Sequence, residues 1–460
     1  PYTTLFRSLY VTDQGEPMPA VLDGKIPFEE MVYTEGEERT QYFVRNIRVE
    51  FGTTLVHSRK ISIRAMIEME VGCENLIEEE TAVDLESSAS IYKKQKPVNL
   101  LKLHTAKKDT YRIKEEITIP GTKESIGQVL LTDITGRKLE VRAAQDELLL
   151  RGELQIFCMY LSEEGKTDWL EQSVPYEGRI ECSGATEGMY YDVQHALEDT
   201  LADVRMDEDG EMRIIGIEGT VSLRINLYEE EELNLLEDLY SLEQKVSYQT
   251  REAVYEELLL QNQSKCKIVE NLSLPELKDD VLQICHSSGS VQIEHVETRA
   301  EKQGGILIEG ILHVSFLYLK ADDALPFGNW QGMVPFSYLL ECPDMPKDVR
   351  YQLSNRVEQI SVTMTGSDSV EVKAVLDFDV FLRKEVPMQV ITEVSLEETD
   401  REELAKKPGI VGYMVKSGDD LWTLAKQYMT TEESIRQINH LENGKIKPGD
   451  KLIICKEIGM

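Results

Sequence analysis

What this 460-residue chain has little of narrows its function quickly. Positive charge is scarce: 50 Lys and Arg stand against 84 Asp and Glu, a formal net of -34. Phosphate backbones and anionic bilayer surfaces are bound by clustered cations, so nucleic acid and membrane lipid are poor partners for the body of the chain. No run approaches the roughly 20 apolar residues of a membrane span, so no transmembrane segment is expected, and no secretory leader is visible. Seven cysteines (Cys73, Cys158, Cys182, Cys266, Cys285, Cys342, Cys455) are odd in number, scattered and without a C-x-x-C pair. They read as small buried hydrophobes in a reducing compartment. Catalytic signatures are missing too, since the chain has no H-E-x-x-H, G-x-S-x-G, P-loop or strand-borne G-x-G-x-x-G. Of the seven dispersed histidines, only His286 and His295 lie near another metal-ligand type, Cys285, and at a spacing that fits no standard zinc pattern. Runs such as Glu229 to Glu232 and Glu78 to Glu80 read as solvated faces. The sequence therefore predicts no catalytic residue, no metal site and no cofactor.

What is present begins at the C-terminus. Tyr413 to Val415 alternates as a strand, Ser417-Gly418-Asp419 carries turn and helix N-cap chemistry, and Leu421, Leu424, Ala425 and Tyr428 fall on one helical face. Thr430 and Glu433 have capping-box spacing, Ile435 and Ile438 continue a buried face, and Asn439 suits a helix end. Pro448-Gly449-Asp450 then turns into a closing strand through Leu452 and Ile454. Trp422 lies one position off the helical face, as a core flank or a partner contact. From Val411 to Met460 there are seven basic and seven acidic residues, so the negative excess lies wholly in residues 1–410.

The rest of the chain repeats itself. Gly152 precedes Tyr160 by eight residues, as Gly310 precedes Tyr318. Val174-Pro175-Tyr176 and Val334-Pro335-Phe336 follow, and Tyr10 with Ile26-Pro27-Phe28 opens a third copy. Trp169 and Trp330 precede their prolines by six and five residues. Strands with period-two alternation close each copy, at Ile61 to Val71, Val221 to Leu227 and Val370 to Val380. This predicts a mainly β protein of tandem antiparallel β-sandwich-like repeats with one wet sheet face, plus a small C-terminal α+β domain. The periodicity of Glu229 to Leu260 leaves helix and strand both open, although Asp238-Leu239-Tyr240 and Asp84-Leu85-Glu86 make it part of the repeat. The expected boundaries are 1–95, 96–245 and 246–396 for the repeats, 397–410 for a charged linker and 411–457 for the last domain. The early half of the first copy has no counterpart before Leu9, so the complete version is expected to begin with Met roughly 40 or more residues upstream.

Tyr413 to Cys455, with its Gly-Asp-x-Leu, Ile-x-x-Ile-Asn and Pro-Gly-x-x-Leu-x-Ile elements in order, resembles a LysM domain. The resemblance implies a βααβ fold and a groove for N-acetylglucosamine-containing glycans such as peptidoglycan. Carried onto this chain, one lip is Gly418, Asp419, Asp420 and Leu421, with Trp422 beside it; the other is His440, Leu441, Ile446 and Pro448. Asp420 stands where Thr is commoner, His440 where Pro is commoner, and Ile454-Cys455 replaces Ile-Pro. The repeats followed by LysM resemble the SPOCS-domain proteins of spore-forming Clostridia, and among these the SipL-type spore coat assembly proteins. That resemblance implies a non-enzymatic scaffold in the mother-cell cytoplasm at the forespore surface. Its implied partner is a spore coat protein, the coat ATPase, with peptidoglycan binding as the alternative.

Overall fold

The structure, a computed structural model, describes residues 2–11, 19–34, 40–57, 60–78, 80–278, 280–300, 304–320, 326–398, 408–441 and 445–457. In chain order its strands are β1 (Tyr2–Val11), β2 (Pro19–Phe28), β3 (Thr40–His57), β4 (Lys60–Asn75), β5 (Ile91–Thr118), β6 (Ile126–Ala144), β7 (Glu147–Ser162), β8 (Thr167–Glu181) and β9 (Tyr190–Met206). There follow β10 (Met212–Ser241), β11 (Gln244–Ser273), β12 (Val281–Arg299), β13 (Gly305–Lys320), β14 (Phe327–Glu341), β15 (Val349–Met364), β16 (Ser369–Glu398), β17 (Ile410–Met414) and β18 (Lys451–Cys455). Two helices, α1 (Leu421–Tyr428) and α2 (Glu432–Ile438), lie between the last two strands. The undecided connector is strand: Glu229 to Leu260 falls in β10 and β11, whose buried Leu235, Leu236 and Leu239 outweigh the neighbouring carboxylates. Residues 399–407 of the expected linker lie outside the described residues.

The chain divides into two compact units. The first comprises Pro1–Leu76, Leu103–Glu229 and Leu258–Lys384, and holds the repeats. Two copies share one plan: the sheet β6-β7-β8 packs against β5-β10-β9, and the sheet β12-β13-β14 packs against β11-β16-β15. The first copy supplies two hairpins, β1-β2 and β3-β4, that correspond to the last four strands of the plan. Alternation explains the cores. Ile306, Ile308, Leu312, Val314, Phe316 and Tyr318 of β13 face Val370, Val372, Ala374, Leu376, Phe378 and Val380 of β16, all buried in one cluster. Each such side chain contributes about 1.5–3 kcal/mol by leaving water.

The recurrent glycine, proline and aromatic are one cross-strand device. Gly152 lies opposite Tyr176, and Gly310 opposite Phe336. The aromatic ring lies over the bare glycine backbone: a Cβ on Gly152 would meet Tyr176 Cζ at 2.5 Å, and one on Gly310 would meet Phe336 Cζ at 3.0 Å and the Gln292 carbonyl at 2.3 Å. The prolines sit on β8 and β14, which are sheet edges, where a missing N–H breaks no ladder. Gly310→Ala is therefore expected to cost about 1–3 kcal/mol through overpacking, with the copy's other strands still formed. Hydrogen exchange of the β13 and β14 amides would register it, and unchanged exchange would contradict the device.

The expected wet face is not kept throughout. Ile156, Phe157, Cys158, Met159 and Tyr160 of β7 are all 0% exposed, so side chains on both faces are covered. The cause is the neighbouring copy: Leu130, Phe157, Met159 and Leu161 pack with Cys285, Leu317, Leu319 and Phe327 of the next copy and with Val21 of the first. His286 stacks on Phe157 at 4.1 Å between ring centres and bonds to Asp133 at 2.7 Å through Nε2. Cys285 is buried there and His295 is exposed. Among the described residues, no group of three or more His, Cys, Asp or Glu is placed to hold a metal.

A second junction between copies is polar. Glu74 of β4 accepts from Arg224 of β10 and from Gln352 of β15, and Arg356 of β15 lies 3.5 Å from His195 of β9. Arg356 also pairs with Asp377 and Asp379 at 2.5 and 2.9 Å. Burial pushes the Asp192 carboxyl up to about 6, with the Glu74 charge adding to the shift and Arg224 opposing it. Burial, with the Arg356 charge, pushes His195 down to about 3.

Candidate functional site

The second unit comprises Ile77–Lys102, Glu230–Glu257 and Glu385–Met460. Its C-terminal part is a βααβ fold, in which β17 and β18 pair antiparallel and Tyr413 lies opposite Leu452. The local chemistry that makes the helices is one residue off the expectation in both cases. Asp420, not Ser417 to Asp419, caps α1 and accepts from the Thr423 amide at 2.8 Å. Thr431, not Thr430, caps α2 through the Ser434 amide at 3.0 Å, while Thr430 is buried. Each cap satisfies an otherwise orphaned N–H of a first turn. Asn439 closes α2 as expected and ties it to β18, with Nδ2 donating to Ile453 O at 2.8 Å and Oδ1 accepting from Ile453 N at 2.7 Å.

The turn that carries Pro448 lies beside the first expected lip. The Gly449 amide donates to Val415 O at 2.8 Å and the Val415 amide to Asp450 O at 2.9 Å, so the turns at 416–420 and 447–450 are neighbours. On the first lip, Gly418 has φ +94 and open space where a Cβ would stand, and Asp419 accepts from the Tyr413 hydroxyl and the Lys416 amide, each at 2.8 Å. Leu421 is buried. On the second lip, His440 is exposed with φ +53, Pro448 is exposed, and Leu441 and Ile446 are half-buried against the helical core.

Two residues of the first lip are engaged inside the unit. Trp422 is 9% exposed, its ring meets Tyr240 edge-on at 4.9 Å, and Nε1 donates to Asp238 Oδ2 at 2.7 Å. Of its two sequence readings, the structure therefore gives the core contact, to a residue 184 positions away. Lys426 pairs with the same Asp238, Tyr248 donates to it at 2.6 Å, and the Tyr240 hydroxyl donates to Thr430 O at 3.1 Å. Asp420 lies 3.6 Å from Lys94. Burial by itself would push the Asp238 carboxyl up, but hydrogen bonds from Lys426, Tyr248, Trp422 and the Leu239 amide together hold it below the usual carboxylate range. Burial and the Asp238 charge push the Tyr248 hydroxyl up to about 12.

Sequence reasoning missed Asp238, Tyr240 and Lys94 as members of this site. The signal available was the recurrence of Asp-Leu. Asp84 accepts from the Leu85 amide and pairs with Lys93, just as Asp238 accepts from the Leu239 amide and pairs with Lys426.

Residues 413–454 match the LysM domain, and residues 125–205 and 280–365 match the family described as SipL, SPOCS domain. The chain has the SipL-type architecture. The two SPOCS matches cover equivalent stretches, β6 to β9 and β12 to β15, so the SPOCS domain and the structural repeat coincide over these strands. SPOCS and LysM are binding or structural domains without chemistry of their own, and together they fit a spore-coat-associated protein of sporulation. Among the described residues, no helix is long and apolar enough to cross a membrane. No curated protein and no solved structure matches the chain.

Proposed function

We propose that the chain is a non-enzymatic scaffold of spore coat assembly, acting in the mother-cell cytoplasm at the forespore surface. The SPOCS repeats serve as protein-interaction modules and the LysM domain as a docking module for a coat protein, the coat ATPase being the partner that the resemblance favours. The observation that carries this reading is the engagement of Asp420 and Trp422. With these two held by Lys94 and Asp238, the Asp420 end of the first lip and the indole beside it are committed within the chain. The second lip, His440, Leu441, Ile446 and Pro448, is left as the contact surface. The repeat boundaries at 1–95, 96–245 and 246–396 are part of the same proposal.

The alternative, a LysM groove that holds peptidoglycan directly, is favoured by Gly418 and Pro448, which are exposed on neighbouring turns, and by the exposed His440. Co-sedimentation of the whole chain with purified peptidoglycan separates the two readings. The scaffold reading expects the protein in the supernatant. Strong retention, lost on Asp419→Ala or Leu421→Ala, would replace it with the glycan reading. In sporulating cells, Leu441→Ala with Ile446→Ala is expected to reduce coat localisation several-fold, and unchanged localisation would remove these residues from the contact.

A further inference from the structure

In the first unit, the polar junction between copies opens into a cleft of about 1520 Å³. It is lined from three copies: by β3 and β4 of the first, by β5, β9 and β10 of the second, and by β12 and β15 of the third. Each copy contributes one guanidinium, Arg48, Arg224 and Arg356. Arg48 is engaged with Gln292 and Glu50, whereas the other two are only partly used. Arg224 is 9% exposed and lies over the Phe43 ring at 4.0 Å; its Nη2 bonds to Glu74 while its Nη1 has no hydrogen-bond partner. Arg356 spends Nη2 on Asp377 and Asp379, and its Nε has no acceptor. The Nε2 of Gln194, on the same lining, is likewise buried and without a hydrogen-bond partner. All three atoms are N–H donors. A buried donor left without an acceptor costs about 1–3 kcal/mol, so the cleft favours an occupant that brings oxygen acceptors.

The strands say what shape that occupant has. β3, β9, β12 and β15 each stand at the edge of their sheets, which is where an extended segment adds itself to a protein. Tyr42, Val44 and Ile47 of β3 are exposed along the same lining and offer apolar contacts between the polar ones. The volume exceeds the roughly 300–1,000 Å³ of small-molecule sites and suits a stretch of polypeptide. Guanidinium forks match carboxylate geometry in two parallel bonds. We propose that the cleft is a docking site for an extended acidic segment of a partner protein, with carboxylates seated on Arg224 and Arg356 and alternate apolar side chains against Val44 and Ile47.

Four carboxylates share the lining, Glu68, Glu70, Asp109 and Glu198, and Glu68, Asp109 and Glu198 are turned to their own neighbours. Glu68 lies 3.6 Å from Arg48, Asp109 pairs with Lys107 at 2.9 Å, and Glu198 accepts from the Ser222 hydroxyl at 2.7 Å. The net charge of the whole chain opposes long-range attraction of an acidic segment, so the recognition is short-range. Added salt screens the repulsion between distant charges more than it weakens the buried contacts.

The probe is a fluorescein-labelled dodecapeptide alternating valine and glutamate, read by anisotropy against the full chain. Versions with glutamine or lysine in place of glutamate serve as controls. The glutamate peptide is expected to bind at least about tenfold tighter than the glutamine version. Arg224→Gln and Arg356→Gln are each expected to weaken it by about tenfold or more. Because either change can disturb the junction, Ile47→Ser on the exposed lip is the companion variant, with a loss of about threefold expected and the circular dichroism spectrum unchanged. No anisotropy change with the glutamate peptide, equal binding of the glutamine peptide, tighter binding of the lysine peptide, or indifference to all three substitutions would each overturn the assignment.

Discussion

Trp422→Ala is expected to lower the opening free energy of α1 by about 3–5 kcal/mol, because it removes a buried indole and leaves a cavity against Tyr240 and the helical core. Hydrogen exchange of the α1 amides reads this locally. A single unfolding midpoint does not serve, since a chain with two units need not unfold in one step. Trp422→Phe keeps most of the burial and loses the bond to Asp238, so its cost is about 1 kcal/mol. The dock is also pH-dependent. Asp238 is held below its unfolded value, so its contribution is present above about pH 4 and is lost as pH falls through the folded value. Exchange from α1 that is indifferent to Trp422→Ala would mean that the indole does not fasten the LysM domain.

At the other end of the pH scale, Asp192→Asn is expected to stabilise the first unit. The folded pKa of Asp192 is raised from 3.8 to about 6, so its contribution to stability is full below 3.8 and is lost as pH rises through 6. A shift of two units is worth about 3 kcal/mol, and an asparagine escapes that loss. The gain should therefore be about 3 kcal/mol at pH 8 and near zero at pH 4. His195 works in the opposite sense: lowered from 6.5 to about 3, it contributes above 6.5 and loses that contribution as pH falls toward 3. Between pH 6 and 4 the two slopes cancel in the native chain. The variant should expose the histidine slope of about 1.4 kcal/mol per pH unit in hydrogen exchange of the β9 and β10 amides. A variant no more stable at pH 8 than the native chain would show that Arg224 compensates the charge of Asp192 in full.

How much of this was legible in the sequence depended on how far apart the interacting residues lie. The LysM fold could be read because its caps, turns and helical faces are local: Asp420 to Thr423, Thr431 to Ser434, Asn439 to Ile453. The repeats could be read because Gly152 and Tyr176 form one cross-strand pair, and pairs of that kind leave a spacing in the chain. The fate of Trp422 could not, since Asp238 and Tyr240 reach it from a different part of the sequence. Nor could the burial of Phe157 and Met159, whose period-two strand predicts a wet face that another copy covers. In the connector, glutamates masked the leucines that make it strand.

The two-sided burial of β7 also limits how such an array can vary. A copy lifted out of the array would present Phe157, Met159 and Leu161 to water, a contiguous apolar strip of the kind that drives aggregation. The loss or duplication of one SPOCS copy is therefore not a neutral change of length, as it is in a string of independent beads. A change in copy number calls for complementary changes on the neighbour's face, and chimeras that exchange single copies between relatives should inherit solubility only when the strands contacting Phe157 travel with them.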